Sequence, residues 1–388
     1  MSLANRTCSR RAVLTAIPSV LAAIPSVCAA ATTGKGSVLP SSVSRYADPT
    51  TEFSVFRLTD PEHTSILPAH YARAVARKGN FLIYASNAAS DAASDASGAI
   101  QAYRLDLKSG QARLLTDAEN FDPACFTLLA DERGFCYVAG GRLYASNLTS
   151  LRPRQLYQAP EGYQPTGMSV TDDGLLAALV ERKGSHYRLQ LIRMLDGMST
   201  TLAEADEEMN DPMPRPRRAS VLYRRADGVW LANLDGKQNY RLKLADGQAL
   251  AATWNPDGKS VLYLNVPADP RKLRNIREFT PDTNEDKAVS DTTQYACFER
   301  NSDGSVFVGA SGSKASPHVL LLVRAVHREF TLCEHRASNP AMVSPIFSPN
   351  SQNVFFMSDQ HGKPAIYRIA VDRLVEQTEE SPAANERK

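Results

Sequence analysis

The sequence predicts an all-β fold, a seven-bladed β-propeller of four-stranded antiparallel blades. Residues 344–370 carry the clearest repeat unit: a strand ending in Phe-Ser-Pro, a polar turn, a second strand, another turn and a third strand. A weaker form of this unit recurs upstream, spaced by roughly 40 to 55 residues as in propeller blades. The first turns of the seven units lie at Lys78-Gly79, Arg133-Gly134, Asp173-Gly174, Arg217-Arg218, Asp257-Gly258, Asp303-Gly304 and Asn350-Ser351.

The segments that follow these turns suit a propeller. Residues 81–84, 221–223 and 261–264 are rich in the β-branched and aromatic side chains that fit a pleated, buried surface. The last blade shows only three clear strands, whereas residues 53–58 resemble a strand with no blade of its own. We expect this N-terminal strand to join the last blade, because the pairing would close the ring and remove an exposed edge.

Composition favours one large domain. The chain has 388 residues, of which 43% are hydrophobic and 22% charged. Because the repeat contains no Gly/Ser-rich linker, we place a single propeller at residues 41–377. The formal net charge of +2 gives no reason to expect a nucleic-acid partner. Disorder is expected in the low-complexity insertion at 88–98 and in the polar tail at 378–388.

The N-terminus has the pattern of an export signal. Arg10 and Arg11 precede an apolar run that ends at Val27, and small residues follow, as in a twin-arginine signal peptide covering residues 1–31. Pro18 and Pro25 interrupt the run, which is also short for a membrane span. We therefore expect a periplasmic or secreted protein that is not embedded in a membrane.

The cysteines after this segment are predicted to be buried thiols. Their spacing forms no Cys-x-x-Cys ligand motif. Cys125 and Cys136 flank one turn, but pairing across adjacent strands is often strained, so a disulfide is the less favoured interpretation. The four residues are Cys125, Cys136, Cys297 and Cys333.

Four segments give the chain a specific resemblance. Residues 54–64, 251–264, 300–313 and 345–367 resemble, in the same order, segments of the oligogalacturonate lyase family, a group of TolB-like seven-bladed propellers. The resemblance implies a short acidic oligosaccharide from pectin as partner, cut by β-elimination. That reaction requires the carboxylate beside C5 to be neutralised while a base removes the C5 proton. The family uses manganese, held mainly by histidines, and a histidine base.

The positions that match the family's metal site carry other residues. Alignment on the last Phe-Ser-Pro places Met342 and Ser344 at paired histidines and Asn339 near a glutamine. The preceding blade places Cys297 at the remaining histidine. Manganese favours oxygen and imidazole donors, so these four residues are poor ligands and no cofactor is expected.

Two functions from different classes are compatible with these replacements. In the first, the protein is a carbon-oxygen lyase that works without the family metal. The family's base falls at Ala251 or Ala252, which leaves His70, at the start of the expected first inner strand, as candidate base or ligand. The candidate substrate-binding residues are Arg215, Arg217 and Arg218 in one loop, and Lys314 and His318 in another. For each of these residues, a structural or solvated role is the commoner alternative.

In the second function, the protein is a non-catalytic propeller, a pseudoenzyme that binds a sugar acid, a peptide or a protein partner. The sequence does not indicate another enzyme class, since it contains no Gly-x-Ser-x-Gly, His-Glu-x-x-His, phosphate-loop or dinucleotide pattern. The prediction is therefore a propeller of oligogalacturonate lyase type that acts on, or only binds, short oligogalacturonides.

Overall fold

The computed structural model describes residues 34–89, 99–292 and 294–376. Within these ranges the chain forms thirty β-strands in seven antiparallel sheets, which confirms the predicted seven-bladed propeller. The expected signal peptide, most of the low-complexity insertion and the expected tail at 378–388 lie outside the described residues. No helix in the described part of the chain is long and apolar enough to cross a membrane.

Three short strands precede the first blade. β1 (Val38–Leu39) pairs with blade 1, so strand pairing begins before residue 41, the expected start of the propeller. β2 (Ser44–Ala47) pairs with β3 (Ser54–Arg57), and β3 pairs with the last strand, β30 (Ala365–Ala370). The predicted closure of the ring by an N-terminal strand is thus confirmed.

Each blade runs from an inner strand beside the central channel to an outer strand on the rim. Blade 1 also contains β1 at its outer edge. The strands of blades 1 to 3 are β4 (Ser65–Ile66), β5 (Phe81–Ser86), β6 (Gln101–Asp106), β7 (Ala112–Leu114); β8 (Phe121–Leu128), β9 (Gly134–Ala139), β10 (Arg142–Asn147), β11 (Pro153–Gln158); and β12 (Gln164–Val170), β13 (Leu176–Lys183), β14 (His186–Arg193), β15 (Ser199–Ala205).

The remaining blades follow the same order. In blade 7, β3 supplies the fourth strand and β2 a fifth. Two 3-10 helices in the described residues span Arg324–Val326 and Pro340–Met342. The strands of blades 4 to 7 are β16 (Met209–Pro214), β17 (Ser220–Arg225), β18 (Gly228–Asn233), β19 (Asn239–Arg241); β20 (Gln248–Trp254), β21 (Val261–Val266), β22 (Arg274–Thr280), β23 (Glu285–Thr292); β24 (Tyr295–Arg300), β25 (Val306–Ser311), β26 (His318–Val323), β27 (Arg328–Glu334); and β28 (Ile346–Phe347), β29 (Asn353–Ser358), β30.

The core lies between neighbouring blades. Each sheet packs its two faces against the sheets beside it, so several second strands are buried along their whole length instead of alternating. All six residues of β5, β9 and β25 are buried. One cluster joins Leu222 of blade 4 to Trp254 of blade 5. Burial on both faces explains why the sequence pattern of these strands is a continuous apolar run.

The antiparallel order gives the propeller two different faces. Every inner strand runs toward the face that carries the turns between first and second strands, which we call the first-turn face. The opposite face carries the connections between blades. The turn at Asp257 and Gly258 lies on the first-turn face, whereas residues 335–345, between blades 6 and 7, lie on the opposite face.

The inner strands of blades 2 to 6 each contain a bulge, seen as a register shift against the second strand. In β20 the shift lies between Leu250 and Thr253, and Ala251 within it has a φ of 48°. A bulge releases backbone groups from the ladder and redirects them. The shifts of the other four strands are Phe121/Phe126, Pro165/Gly167, Asn210/Met213 and Tyr295/Cys297.

The described cysteines are free thiols, as predicted. Cys125, Cys136 and Cys333 are buried, and Cys297 is partly buried. Burial raises the pKa of each of these thiols, which makes them unreactive at neutral pH.

Candidate functional site

A segment of blade 1, residues 67–74, crosses the central channel. The backbone N–H of Leu67 lies 3.1 Å from Sδ of Met357 in blade 7. His70 Nε2 lies 3.3 Å from the carbonyl oxygen of Ala252 in blade 5. Because blades 1 and 5 lie on opposite sides of a seven-membered ring, His70 reaches across the channel. We call residues 67–74 the channel segment.

Tyr71 and Arg73 continue this crossing. Tyr71 packs against the apolar cluster shared by blades 4 and 5, and a Cβ built on Gly167 of blade 3 would lie 3.3 Å from its hydroxyl. The Arg73 N–H donates to Thr127 Oγ1 of blade 2 at 3.0 Å. The channel segment therefore contacts five blades besides its own.

The location expected for His70 was wrong. The inner strand β4 ends at Ile66, and pairing with β5 resumes only as a single bridge between Val75 and Leu82. His70 lies in a turn between these two points. The docking of Tyr71 against blades 4 and 5 draws the chain away from blade 1, and this tertiary contact overrides the local strand pattern.

A cavity of about 220 Å³ lies beside the channel segment at the first-turn end of the channel. His70 and Arg73 line it from the channel segment, Glu299 and Arg300 from the end of β24, and residues 346–349 from blade 7. We call it the Glu299 cavity. A second cavity of about 190 Å³ is lined by Tyr71, Arg73, Thr127, Thr171 and Asp172. Arg73 thus faces both cavities.

Glu299 is the buried carboxyl of this site. Its side chain belongs to a residue that is only 9% exposed. Oε1 accepts a hydrogen bond from the N–H of Arg300 at 3.0 Å, whereas Oε2 is buried and has no hydrogen-bond partner among the described residues. Burial raises the pKa of Glu299, and the charges of Arg300 and His70 oppose that shift. A buried carboxyl with one free oxygen is suited to proton transfer.

Arg300 and Arg73 place positive charge at the cavity. Arg300 Nε donates to the carbonyl of Trp254 at 2.7 Å, and Nη1 donates to the carbonyl of Asn301 at 3.1 Å. Burial lowers the pKa of Arg300, although the guanidinium remains charged at neutral pH. No described carboxylate forms an ion pair with Arg73. The Arg73 guanidinium is therefore available to an acidic ligand.

The positions that match the family's metal site come together at the opposite-face end of β24 and β28. Cys297 Sγ lies 3.6 Å from the carbonyl oxygen of Pro340, and the backbone of Ser344 contacts the thiol. Burial raises the Cys297 pKa to about 11. The Asn339 side chain accepts from the N–H of Ala341 and caps the 3-10 helix.

These donors do not fit manganese. Cys297 is a protonated thiol, Asn339 is engaged in capping, and Met342 is a thioether with 53% of its surface exposed. A hard cation needs oxygen or imidazole ligands. Among the described residues, no three His, Cys, Asp or Glu side chains converge where they could hold a metal ion.

At the positions that match the family's histidine base, this chain has alanines, and a backbone carbonyl group faces the channel segment. Ala251 and Ala252 lie in the bulge of β20, and the carbonyl of Ala252 faces the His70 imidazole. Since a carbonyl oxygen only accepts, Nε2 of His70 carries the proton in this contact. The histidine of the channel segment therefore lies next to the strand position at which the family places its own histidine.

The predicted arginines of blade 4 lie on the first-turn face. Arg215 Nη1 and Nη2 bind Asp282 at 3.2 and 3.1 Å, and its Nε donates to the Gly258 carbonyl at 2.6 Å. Arg218 also binds Asp282, at 2.7 Å, and Arg217 is exposed in the turn. The guanidinium of Arg215 is fully engaged between blades 4 and 5.

Lys314 and His318 lie on the opposite face, Lys314 in the loop between β25 and β26 and His318 at the start of β26. Lys314 is exposed, and His318 Nδ1 lies 2.8 Å from Ser316 Oγ. The structure therefore does not bring the predicted residues of blades 4 and 6 together. Of the predicted candidates, only His70 lines the Glu299 cavity.

Sequence reasoning missed Arg73, Glu299 and Arg300. The available signal was weak: Glu299 and Arg300 form a charged pair at the end of an apolar strand, directly before an Asn-x-Asp-Gly turn. Only the path of the channel segment places Arg73 at the cavity that Glu299 and Arg300 also line.

The chain is similar over most of its length to two curated enzymes. It is 24% identical over 390 residues to the oligogalacturonide lyase of Pectobacterium atrosepticum and 24% identical over 390 residues to the oligogalacturonate lyase of Dickeya dadantii. Each match covers 87% of this chain and 98% of the relative. No protein-family model matches the chain. The resemblance predicted from the sequence motifs is confirmed.

A solved structure shares the fold. An oligogalacturonate lyase in complex with manganese matches this propeller with a TM-score of 0.79 and 23% sequence identity, over 87% of this chain and 98% of the other.

Proposed function

We propose that this protein acts on short oligogalacturonides by β-elimination in the Glu299 cavity. One observation carries the proposal: a buried carboxyl with a free oxygen, Glu299, lies in the same cavity as Arg73 and Arg300. The sequence similarity to enzymes named oligogalacturonide and oligogalacturonate lyase supports an acidic oligosaccharide as the ligand.

The two arginines suit the first requirement of the chemistry. The C5 proton of a uronate is weakly acidic while the neighbouring carboxylate keeps its full negative charge. Arginine binds carboxylates through parallel N–H groups and carries a permanent positive charge. Arg73 and the Nη2 of Arg300, which donates to no described residue, would bind that carboxylate and stabilise the charge that develops on it.

Cavity size supports a short ligand. At about 220 Å³ the Glu299 cavity is smaller than the roughly 300–1,000 Å³ of sites for drug-sized molecules. It has room for a single sugar residue, and the neighbouring cavity beyond Arg73 would accept an adjoining one. No step is assigned to a metal ion, because Cys297, Asn339, Met342 and Ser344 do not suit manganese.

A second candidate function is binding without catalysis. The specific observation in its favour is the replacement of imidazole donors by a partly buried thiol at Cys297 and an exposed thioether at Met342. A propeller that had lost the family chemistry would keep the fold and an acidic-ligand cavity. The bound partner would then be a sugar acid, a peptide or a protein.

One experiment separates the two functions. Purified protein is incubated with di- and trigalacturonate, and the ultraviolet absorbance of the unsaturated product is followed with manganese or with a chelator. Turnover that is unchanged by the chelator supports the proposed lyase. Turnover only with manganese would contradict the metal-independent mechanism. A flat trace with retained binding by calorimetry would overturn catalysis in favour of the binding protein.

Arg73 provides the test of location. The variant Arg73→Gln should weaken trigalacturonate binding at least tenfold, since it removes a charge-assisted carboxylate contact. The matched control is Arg152→Gln, an exposed arginine in the loop between β10 and β11. Equal affinity of the two variants would exclude the cavity as the binding site.

Export belongs to the same proposal. Arg10 and Arg11 support a twin-arginine route to the periplasm, where short pectin fragments would be met. Replacement of both arginines by lysine should retain the protein in the cytoplasm. Fractionation that finds undiminished periplasmic protein would contradict this route.

A further inference from the structure

We infer that Glu299 is the proton acceptor of the elimination, an inference that rests on the proposed function. The geometry points to the free oxygen, Oε2, as the atom that takes the proton. Glu299 lies two positions, about 7 Å along an extended strand, after Cys297, which matches a metal-ligand position of the family. The reaction would thus use a different part of the same channel.

Orientation supports this role. Oε1 accepts from the N–H of Arg300, which fixes the carboxyl group, while Oε2 is buried without a partner among the described residues. An unsatisfied buried polar atom destabilises the folded state. A protein retains such an unsatisfied atom where the atom binds a ligand, and the cavity beside Glu299 has space for one.

Titration behaviour agrees with the geometry. Burial raises the pKa of Glu299 above the ordinary glutamate value. A base is most effective when its pKa lies near the working pH, because it is then deprotonated yet still holds a proton strongly. The positive charge of Arg300 opposes this shift and favours the carboxylate form.

His70 is assigned a positioning role. Its Nε2 proton is donated to the carbonyl of Ala252, so that nitrogen is not available as a base. The ring is further fixed by an edge contact with Tyr71, at 5.1 Å between centroids. His70 therefore acts on the reaction through the shape of the cavity wall beside Glu299.

The proposed step balances without an oxidant or a second substrate. Oε2 of Glu299 takes the proton from C5, and the electrons of the C5–H bond form the C4–C5 double bond. The bond between C4 and the glycosidic oxygen breaks, and that oxygen leaves with the bonding electrons and takes a proton from water. Glu299 then releases its proton to solvent. Arg73 and Arg300 compensate the charge on the uronate carboxylate throughout.

Three variants test the inference. Glu299→Gln keeps the shape of the side chain and removes the base; kcat on trigalacturonate should fall by about 100-fold or more, with the dissociation constant within threefold of wild type. Glu299→Asp keeps a carboxylate and should retain measurable turnover. Its kcat/KM should still fall at low pH, whereas this fall should be absent from the pH profile of Glu299→Gln. The control is Glu285→Gln on the outer strand β23, an exposed carboxylate that should leave kcat unchanged.

The outcomes are distinguishable. Active wild type with a Glu299→Gln variant within threefold of its kcat would overturn the role of Glu299 and leave the proposed function standing. The role of Glu299 would also be overturned if His70→Gln abolished the fall of kcat/KM at low pH while Glu299→Gln retained it. Inactive wild type that binds trigalacturonate would overturn the lyase function itself. Loss of kcat with binding and melting temperature retained supports the inference.

Discussion

Val55 of β3 lies directly opposite Ile369 of β30, and this pair joins the N-terminal part of the propeller to its last blade. Val55 is fully buried in the apolar cluster that blades 6 and 7 share. The next strand, β2, covers β3 in turn. Without these strands β30 would be an exposed edge, which invites pairing with other chains.

Removal of residues 41–60 should therefore lower the melting temperature sharply and promote aggregation. Within the intact chain, Val55→Ala should reduce the free energy of unfolding by about 2 kcal/mol, since it leaves a cavity in a closed core. The control is Ser44→Ala on the exposed strand β2, which should change stability by less than about 0.5 kcal/mol. Thermal unfolding of the three proteins gives the answer, and an unchanged melt of the truncated protein would contradict closure by β3.

Closure was predictable from the sequence because the evidence for it is local. Residues 53–58 have a strand pattern, and the last blade lacks a strand, so a count of strands is enough to predict the closure. The repeating turns likewise predict seven blades, because each turn needs its own polar or glycine residues. β1 was not predicted, because a strand of two residues is too short to show an alternating pattern of side chains.

The site was harder to predict because it depends on contacts between distant segments. The path of the channel segment is set by Tyr71, which packs against blades 4 and 5, and no pattern around residue 71 encodes those partners. Arg73 meets Glu299 only as a result of that path. The resemblance directed attention to Cys297 instead, because family motifs mark the positions that match the family's ligands and not the residues outside those motifs.

Arg215 is expected to be a structural residue. Its guanidinium holds the pKa of Asp282 below the ordinary value and lies 5.0 Å above the Trp254 ring. Arg215→Ala should lower the free energy of unfolding by about 2 kcal/mol, less than for a fully buried pair because Asp282 is 44% exposed. Denaturant titration measures this loss.

The neighbouring Arg217 is the matched control for Arg215. It is exposed and has a φ of 58°, a conformation that asparagine tolerates. Arg217→Asn should leave stability within about 0.5 kcal/mol of wild type. Retained stability of Arg215→Ala combined with lost trigalacturonate binding would instead assign Arg215 to the ligand.

Glu299 should also affect stability in a pH-dependent way that needs no substrate. Its folded pKa is raised by burial, so the protonated form stabilises the fold at low pH, and that contribution is lost as the pH rises through the folded pKa. Relative to wild type, Glu299→Gln should therefore be more stable at pH 8 than at pH 4. Urea midpoints at both values measure the difference, with Glu285→Gln as control; an equal difference at both pH values would contradict a raised pKa.

His335 should have the opposite pH dependence. The residue is fully buried; its Nε2 donates to the Ser311 carbonyl at 3.0 Å, and its Nδ1 accepts from the Ala337 N–H at 3.0 Å. Acceptance at Nδ1 requires the neutral ring, and burial lowers the pKa of His335. Since the unfolded chain then binds the proton more tightly, the contribution of His335 to the free energy of unfolding should be fully present above about pH 6.5. It should decrease as the pH falls below that value. His335→Gln should be less stable than wild type at pH 8, and the gap should narrow by pH 5. The control is His327→Asn, at an exposed histidine with a φ of 49°. A gap for His335→Gln that is the same at both pH values would contradict a lowered pKa of His335.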